Sequence, residues 1–345
     1  MFKKKWQRYT VVILIIITVV YLLGPHPKTP EYATTMPAVP ADAAALQQYI
    51  SRQESAHKLK PDNEARIIWY NDTTKAKTDY AIVYLHGFSA SQEEGAPIHT
   101  NIAKEFGCNL YLSRLAEHGI DTADPMINLT PEKYWESAKQ ALAIGKQLGK
   151  KVILMGTSTG GTNALQLAAA YPDDVAALLL LSPNVAIHDP NAWVLNNPWG
   201  LQVARLVKGS HYVIATDNRP IYKQYWYSKY PLEAAVQLEE MLETTMTKET
   251  FEKVKQPVLM LYYYKDEDHQ DSVVSVPALL KMFDELGTPR GEKIKEAIPN
   301  AGDHVLGSYI KSQDLLSVQT AIENFMGHTL HLNKAAGSTI VEESK

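Results

Sequence analysis

The chain of 345 residues is 45% hydrophobic and 21% charged, so it is neither disordered nor collagenous and is long enough to bury a full core. Lys and Arg total 34 against 38 Asp and Glu, a formal charge of -4, which leaves no basic excess for a phosphate backbone and argues against a nucleic-acid partner. The single cysteine, Cys108, excludes an intrachain disulfide, a Cys-rich zinc site and an iron–sulfur cluster.

Lys3, Lys4, Lys5 and Arg8 precede an uncharged apolar run over residues 10 to 24. This is the basic flank and apolar stretch of an export segment. A membrane span needs about 20 apolar residues, with a lower limit near 17, and this run is slightly short. Two main readings stand: an uncleaved signal-anchor, or a signal peptide that is cleaved. A core helix is the third. The run ends in Gly24-Pro25-His26-Pro27 with no small-x-small cleavage site, and Trp6, Tyr9 and Tyr21 suit the two membrane interfaces. These favour the anchor. The basic flank stays cytoplasmic, so the remainder is expected outside the cytoplasm, membrane-tethered or, after cleavage, secreted. Residues 25 to 45 carry Pro25, Pro27, Pro30, Pro37 and Pro40 without apolar periodicity. They read as a semi-extended tether independent of the domain.

From residue 46 the chain alternates apolar strands with helices. Strands are predicted over 65–70, 80–85, 109–112, 151–155 and 176–181. Helices are predicted over 97–106, 131–148 and 161–171, the second opened by Thr130-Pro131-Glu132. Near-continuous Val/Ile/Leu runs separated by helices imply an α/β fold with a mostly parallel, doubly wound sheet covered on both faces. The rhythm breaks over 184–255, an aromatic-rich stretch that ends in a charged helix near 238–252; its length implies an inserted cap. It resumes with a strand over 257–264, a helix over 276–286, a strand near 294–298 and a last helix over 314–325. The core is thus expected over 46–183 and 256–328, and a frayed tail after it.

The chemistry-bearing motif is Gly156-Thr157-Ser158-Thr159-Gly160, between the 151–155 strand and the following helix. A G-x-S-x-G in that context is a nucleophile elbow, with small residues letting strand and helix pass closely around an exposed Ser158. A serine needs a base, and on such a sheet the chain order is Ser, acid, His. His304, in Gly302-Asp303-His304 after the last strand, is the candidate base; His269, His328 and His331 are placed less well. The acid lies among Asp266, Glu267, Asp268 and Asp271. Counted forward from the strand, Asp266 comes first; counted back from the next helix, Asp271-Ser272-Val273-Val274 forms the lead-in and puts Asp271 ahead. The oxyanion-hole donors are the N–H of Thr159, the residue after the nucleophile, and the N–H of Phe88, in His86-Gly87-Phe88. His86 is expected to hold that loop.

These motifs, in this order over residues 65 to 328, resemble the α/β-hydrolase superfamily, most closely its esterase, monoacylglycerol-lipase-like branch. The resemblance implies an eight-stranded core, a helical cap after the sixth strand, a Ser-Asp-His triad and no cofactor. The lengthened acid loop departs from that pattern and leaves Asp271 and Asp266 both open. The expected activity is hydrolysis of small carboxylic esters with apolar acyl or aryl groups. A peptidase, amidase or thioesterase on the same triad, or a membrane-tethered binding module without catalysis, are the alternatives.

Overall fold

A computed structural model describes residues 2–335. Its core is a sheet of seven strands among the described residues. In chain order these are β1 (Arg66–Ile68), β2 (Thr78–Leu85), β3 (Asn109–Leu112), β4 (Gly149–Thr157) and β5 (Ala177–Leu181). The cap hairpin β6 (Tyr212–Ile214) and β7 (Lys229–Pro231) comes next, then β8 (Val258–Tyr262) and β9 (Lys293–Ala297). The core order is β1-β3-β2-β4-β5-β8-β9. Within this seven-stranded sheet only β1 runs antiparallel to its neighbour. The eight-stranded expectation is corrected to seven: the chain ahead of β1 forms a helix over Ala43–Ser55, not another strand.

The central strands are apolar along their buried lengths because both faces are covered, whereas the edge strand β9 is charged and exposed. Along β2, Ala81, Val83 and Leu85 enter one apolar layer, and Ile82 and Tyr84 the other. Eleven α-helices among the described residues flank or extend this frame. They are α1 (Phe2–Leu22), α2 (Ala43–Ser55), α3 (Ile98–Glu105), α4 (Pro131–Leu148), α5 (Thr159–Ala170) and α6 (Gly200–Lys208). The rest are α7 (Pro220–Tyr225), α8 (Leu232–Thr245), α9 (Lys248–Lys253), α10 (Val276–Glu285) and α11 (Leu315–Asn324). α2, α4, α5 and α10 pack on one face, α3 and α11 on the other. α4 starts where its sequence predicts: Thr130 Oγ1 accepts the Lys133 N–H at 3.3 Å, and Pro131 occupies the first turn.

Two expectations change here. The charged helix predicted over 238–252 is two helices, α8 and α9. They break at Met246, and Thr247 caps the second by accepting the Thr250 N–H. The proline-rich segment is extended, but it is not independent of the domain. The Ala33 carbonyl accepts from Trp135 Nε1 and Lys139 Nζ, both at 2.8 Å, and the Thr35 carbonyl accepts from Lys139 Nζ at 2.9 Å. Tyr171 donates to the Thr34 carbonyl. Prolines strip the segment of its own ladder, so its carbonyls are left for α4 to bind. At the other end, Lys334 pairs with Glu105 and Glu323; the rest of the expected tail lies outside the described residues.

Helix α1 has, over Lys5–Leu22, the length and apolar composition to cross a membrane, and none of it is buried in the protein.

Candidate active site

Ser158 stands between the end of β4 and the start of α5, with φ 53° and ψ -121°. Such a backbone costs about 1–3 kcal/mol and persists only where its surroundings fix it. Here the Ser158 N–H donates to the Leu181 carbonyl at 3.0 Å, and its own carbonyl accepts from Gly161 and Asn184, both at 2.8 Å. A Cβ on Gly160 would overlap the Leu85 carbonyl, so helix and strand approach this closely only through glycine. The turn leaves Ser158 at the positive end of a helix of 12 residues.

His304 follows β9, on the loop that also holds Gly302. Its Nδ1–H donates to Asp271 Oδ2 at 2.6 Å. Asp271 is fully buried, and its other oxygen accepts the Val273 and Val274 N–H groups at 2.8 and 3.0 Å. Burial alone would push the Asp271 pKa up; the His304 charge and these hydrogen bonds outweigh it and hold the carboxyl below its usual range. Burial would likewise push the His304 imidazole down, but the Asp271 carboxylate raises it above the ordinary value. His304 Nε2 is buried and has no hydrogen-bond partner among the described residues.

Asp266 is placed elsewhere. It is half-exposed, and its Oδ1 accepts from the His269 backbone at 2.9 Å and bonds the His269 ring at 2.7 Å. Residues 265 to 269 close on themselves through Lys265 N–H to the His269 carbonyl, and the Asp271 N–H returns to the Tyr263 carbonyl at 3.1 Å. The extra length of the loop is thus a turn at the surface, and the chain comes back to the sheet at Asp271.

Phe88 and Thr159 flank Ser158 from the β2 loop and the first turn of α5. The β2 loop is held by two buried histidines. His86 accepts the Leu115 N–H at 3.0 Å and bonds the Gly87 carbonyl at 2.9 Å. His118 accepts the Ser89 N–H at 3.0 Å, and its ring meets Phe88 edge-on. Burial pushes His86 down to about 4 and His118 well below its ordinary value, so both are neutral near pH 7. Sequence reasoning assigned the holding role to His86 but missed His118, which carries no motif of its own.

It also missed Glu94. This residue is buried beside Ser158, and its Oε2 accepts the Gly87 N–H at 2.5 Å. Burial raises its pKa to about 7, against the pull of the Gly87 N–H, the His304 charge and the Trp226 side chain. The adjacent Glu93-Glu94 pair on an otherwise uncharged loop was the only signal in the sequence.

Ser158, His304, Glu94 and Phe88 line one cavity of about 650 Å³, at the carboxyl ends of the strands. Cap residues Tyr222, Trp226, Tyr227 and Tyr230 close it from above. The aromatic stretch therefore divides: these four line the cavity, whereas Trp193 and Trp199 stand outside and exposed. A second concavity of about 540 Å³ lies at the opposite ends of the strands, among Lys77, Lys146 and Lys150, and holds none of the candidate residues.

With a mostly parallel sheet, a serine elbow at its carboxyl edge and a cap inserted after β5, the molecule has the α/β-hydrolase fold. Residues 132–267 match the family described as serine aminopeptidase, S33. Among solved structures, one of the metagenome-derived lipolytic enzymes LipS and LipT is similar at 17% identity and a TM-score of 0.62, covering 79% of this chain and 100% of that one. Est1E from Butyrivibrio proteoclasticus with ferulic acid bound is similar at 17% identity and a TM-score of 0.54, over 78% and 95% of the two chains. The monoacylglycerol lipase of Paleococcus ferrophilus follows at 14% and 0.55, over 76% and 97%. No curated protein matches by sequence.

Proposed function

We propose that this protein is a serine hydrolase that transfers the acyl group of a carboxylic ester to water. The observation that carries the reading is the His304 imidazole: Nδ1 is tied to buried Asp271, and Nε2 is free of partners on the cavity that Ser158 lines. Ser158 Oγ attacks the ester carbonyl and His304 Nε2 takes its proton. The oxyanion is stabilised by the Phe88 and Thr159 N–H groups. His304 then protonates the leaving alcohol. A water, deprotonated by the same nitrogen, attacks the acyl-enzyme and releases the acid. Asp271 fixes the tautomer and stabilises the imidazolium. The aromatic cavity wall suits an apolar acyl or aryl group, in keeping with the lipolytic and ferulic-acid-binding proteins that share the fold.

The match to the serine aminopeptidase family favours a second reading, cleavage of an amide on the same residues. A fluorophosphonate probe tests the shared chemistry: it labels the wild type at Ser158 and leaves Ser158→Ala unlabelled. Labelling that survives the substitution overturns the nucleophile. Turnover of p-nitrophenyl esters of rising chain length against aminoacyl p-nitroanilides then separates ester from amide.

We further read α1 as an uncleaved membrane anchor, with the catalytic domain outside the cytoplasm. Support comes from the end of the helix. Trp199 of the cap donates its indole N–H to the Val20 carbonyl at 2.9 Å and its backbone N–H to the Pro25 carbonyl at 3.0 Å. A Cβ on Gly24 would overlap the Trp199 ring. The intact mass of the membrane-extracted protein checks this; a mass lacking the first two dozen residues would mean a cleaved signal peptide.

A further inference from the structure

Helix α6 presents its apolar stripe to solvent. Trp199, Val203, Leu206 and Val207 recur at the spacing of one helical face, and all four are exposed, Leu206 at 83% and Val207 at 81%. The opposite side is the seated one. There Leu201 shares a recess with Glu233 and Val236 of α8, and Arg205 pairs with Glu233 at 2.5 Å. A surface helix normally turns such a stripe inward. Elsewhere in the domain the exposed large apolar side chains fall along the chain in ones and twos, whereas Trp193, the four stripe residues and Ile214 all fall between positions 193 and 214.

The stripe begins where α1 ends. Trp199 is the residue that binds the Val20 and Pro25 carbonyls, so its indole lies level with the last turn of α1. That is the depth at which tryptophan sits in a membrane interface. Beyond α6 the chain enters β6, where Val213 and Ala215 line the catalytic cavity, and Ile214 between them is 65% exposed. One strand thus separates the apolar surface from the cavity.

We propose that the outward face of α6 lies in the lipid interface beside the anchor and sets the cavity against the bilayer, so that the substrate is an ester drawn from the lipid phase. The inference rests on the reading of α1 as an anchor and deepens it. A short amphipathic helix binds a bilayer through its apolar face, and the exposed Lys208 at its end favours anionic headgroups. The continuity of the stripe with the end of α1 selects lipid over a second copy of the chain as the occupant.

The test uses the full chain in vesicles of phosphatidylcholine and phosphatidylglycerol. The native thiol does not compete for label, because Cys108 is buried and its pKa is pushed up to about 12. Single substitutions Leu206→Cys, Ile15→Cys and Leu316→Cys, the last on α11 and away from the stripe, carry an environment-sensitive fluorophore. Lipids with a spin label on the acyl chain are expected to quench the probes at 206 and 15 and spare the one at 316. Quenching at 15 with 206 behaving like 316 keeps the anchor and overturns the docking. Quenching at 206 without 15 keeps the docking and overturns the anchor. Quenching at neither overturns both. A probe at 206 shielded from aqueous quencher, untouched by lipid quencher and cross-linking to a second chain assigns the stripe to self-association and overturns the proposal. In the same vesicles, joint Leu206→Asp and Val207→Asp substitution raises KM for a membrane-dispersed ester by about tenfold or more and leaves a short soluble ester unaffected. Equal losses on both substrates would mean a merely structural helix.

Discussion

The Glu94 carboxylate accepts the Gly87 N–H at 2.5 Å, which ties a buried acid to the loop that carries Phe88, the proposed oxyanion donor. Its negative charge also raises the pKa of His304. The proposed mechanism requires neutral His304, so kcat/KM should rise with pH through a limb above the ordinary histidine value. Glu94→Gln removes the charge but keeps an acceptor for Gly87. The limb should then move to lower pH, by up to about one unit. A pH profile of kcat/KM that stays in place or moves upward contradicts this placement of Glu94.

The two loop aspartates should differ sharply. Asp271→Asn leaves His304 in the wrong tautomer and should cost about 10⁴ in kcat, as for the equivalent change in serine proteases. Asp266→Asn, at an exposed turn, should stay within about twofold of wild type. Steady-state kinetics on one soluble ester decides it. A dead Asp266→Asn with a near-normal Asp271→Asn would reverse the assignment.

Gly160→Ala places a methyl group against the Leu85 carbonyl. Helix and strand must separate, so stability should fall by about 1–3 kcal/mol. Ser158 sits within two residues of the shift, and turnover should collapse along with it. A variant with native Tm and native kcat would mean that the elbow tolerates the added carbon.

Lys139 is almost fully buried and binds the Ala33 and Thr35 carbonyls of the extended segment. Lys139→Met strands the Thr35 carbonyl, while Ala33 keeps Trp135, and should cost about 1–3 kcal/mol in urea unfolding. Deleting residues 1–24 should leave that midpoint and kcat unchanged, whereas deleting 1–42 should lower the midpoint at least as far as Lys139→Met. Equal midpoints for the two truncations would show that the segment does not brace α4.

Much of this was legible locally. Near-continuous apolar runs announce buried parallel strands, and Thr130-Pro131 starts a helix wherever it falls. Gly156 to Gly160 between a strand and a helix has few ways to fold except as an elbow, because only glycine admits the close crossing. What sequence left open was everything set by contacts between distant segments. Asp266 and Asp271 are both loop carboxylates five positions apart; only the turn closed by His269 decides which of them reaches His304. Glu94 and His118 carry no motif, and burial beside Ser158 and Ser89 respectively, far along the chain, makes their charge states unusual. The proline-rich segment looked like a free tether because its partners, Trp135 and Lys139, lie a hundred residues away. The α6 stripe has the spacing of any core helix; only the packing of its other face, through Leu201 and Arg205, turns it outward toward the end of α1. Local propensity and chain order are written residue by residue, whereas pKa, partner and exposure belong to the assembled neighbourhood.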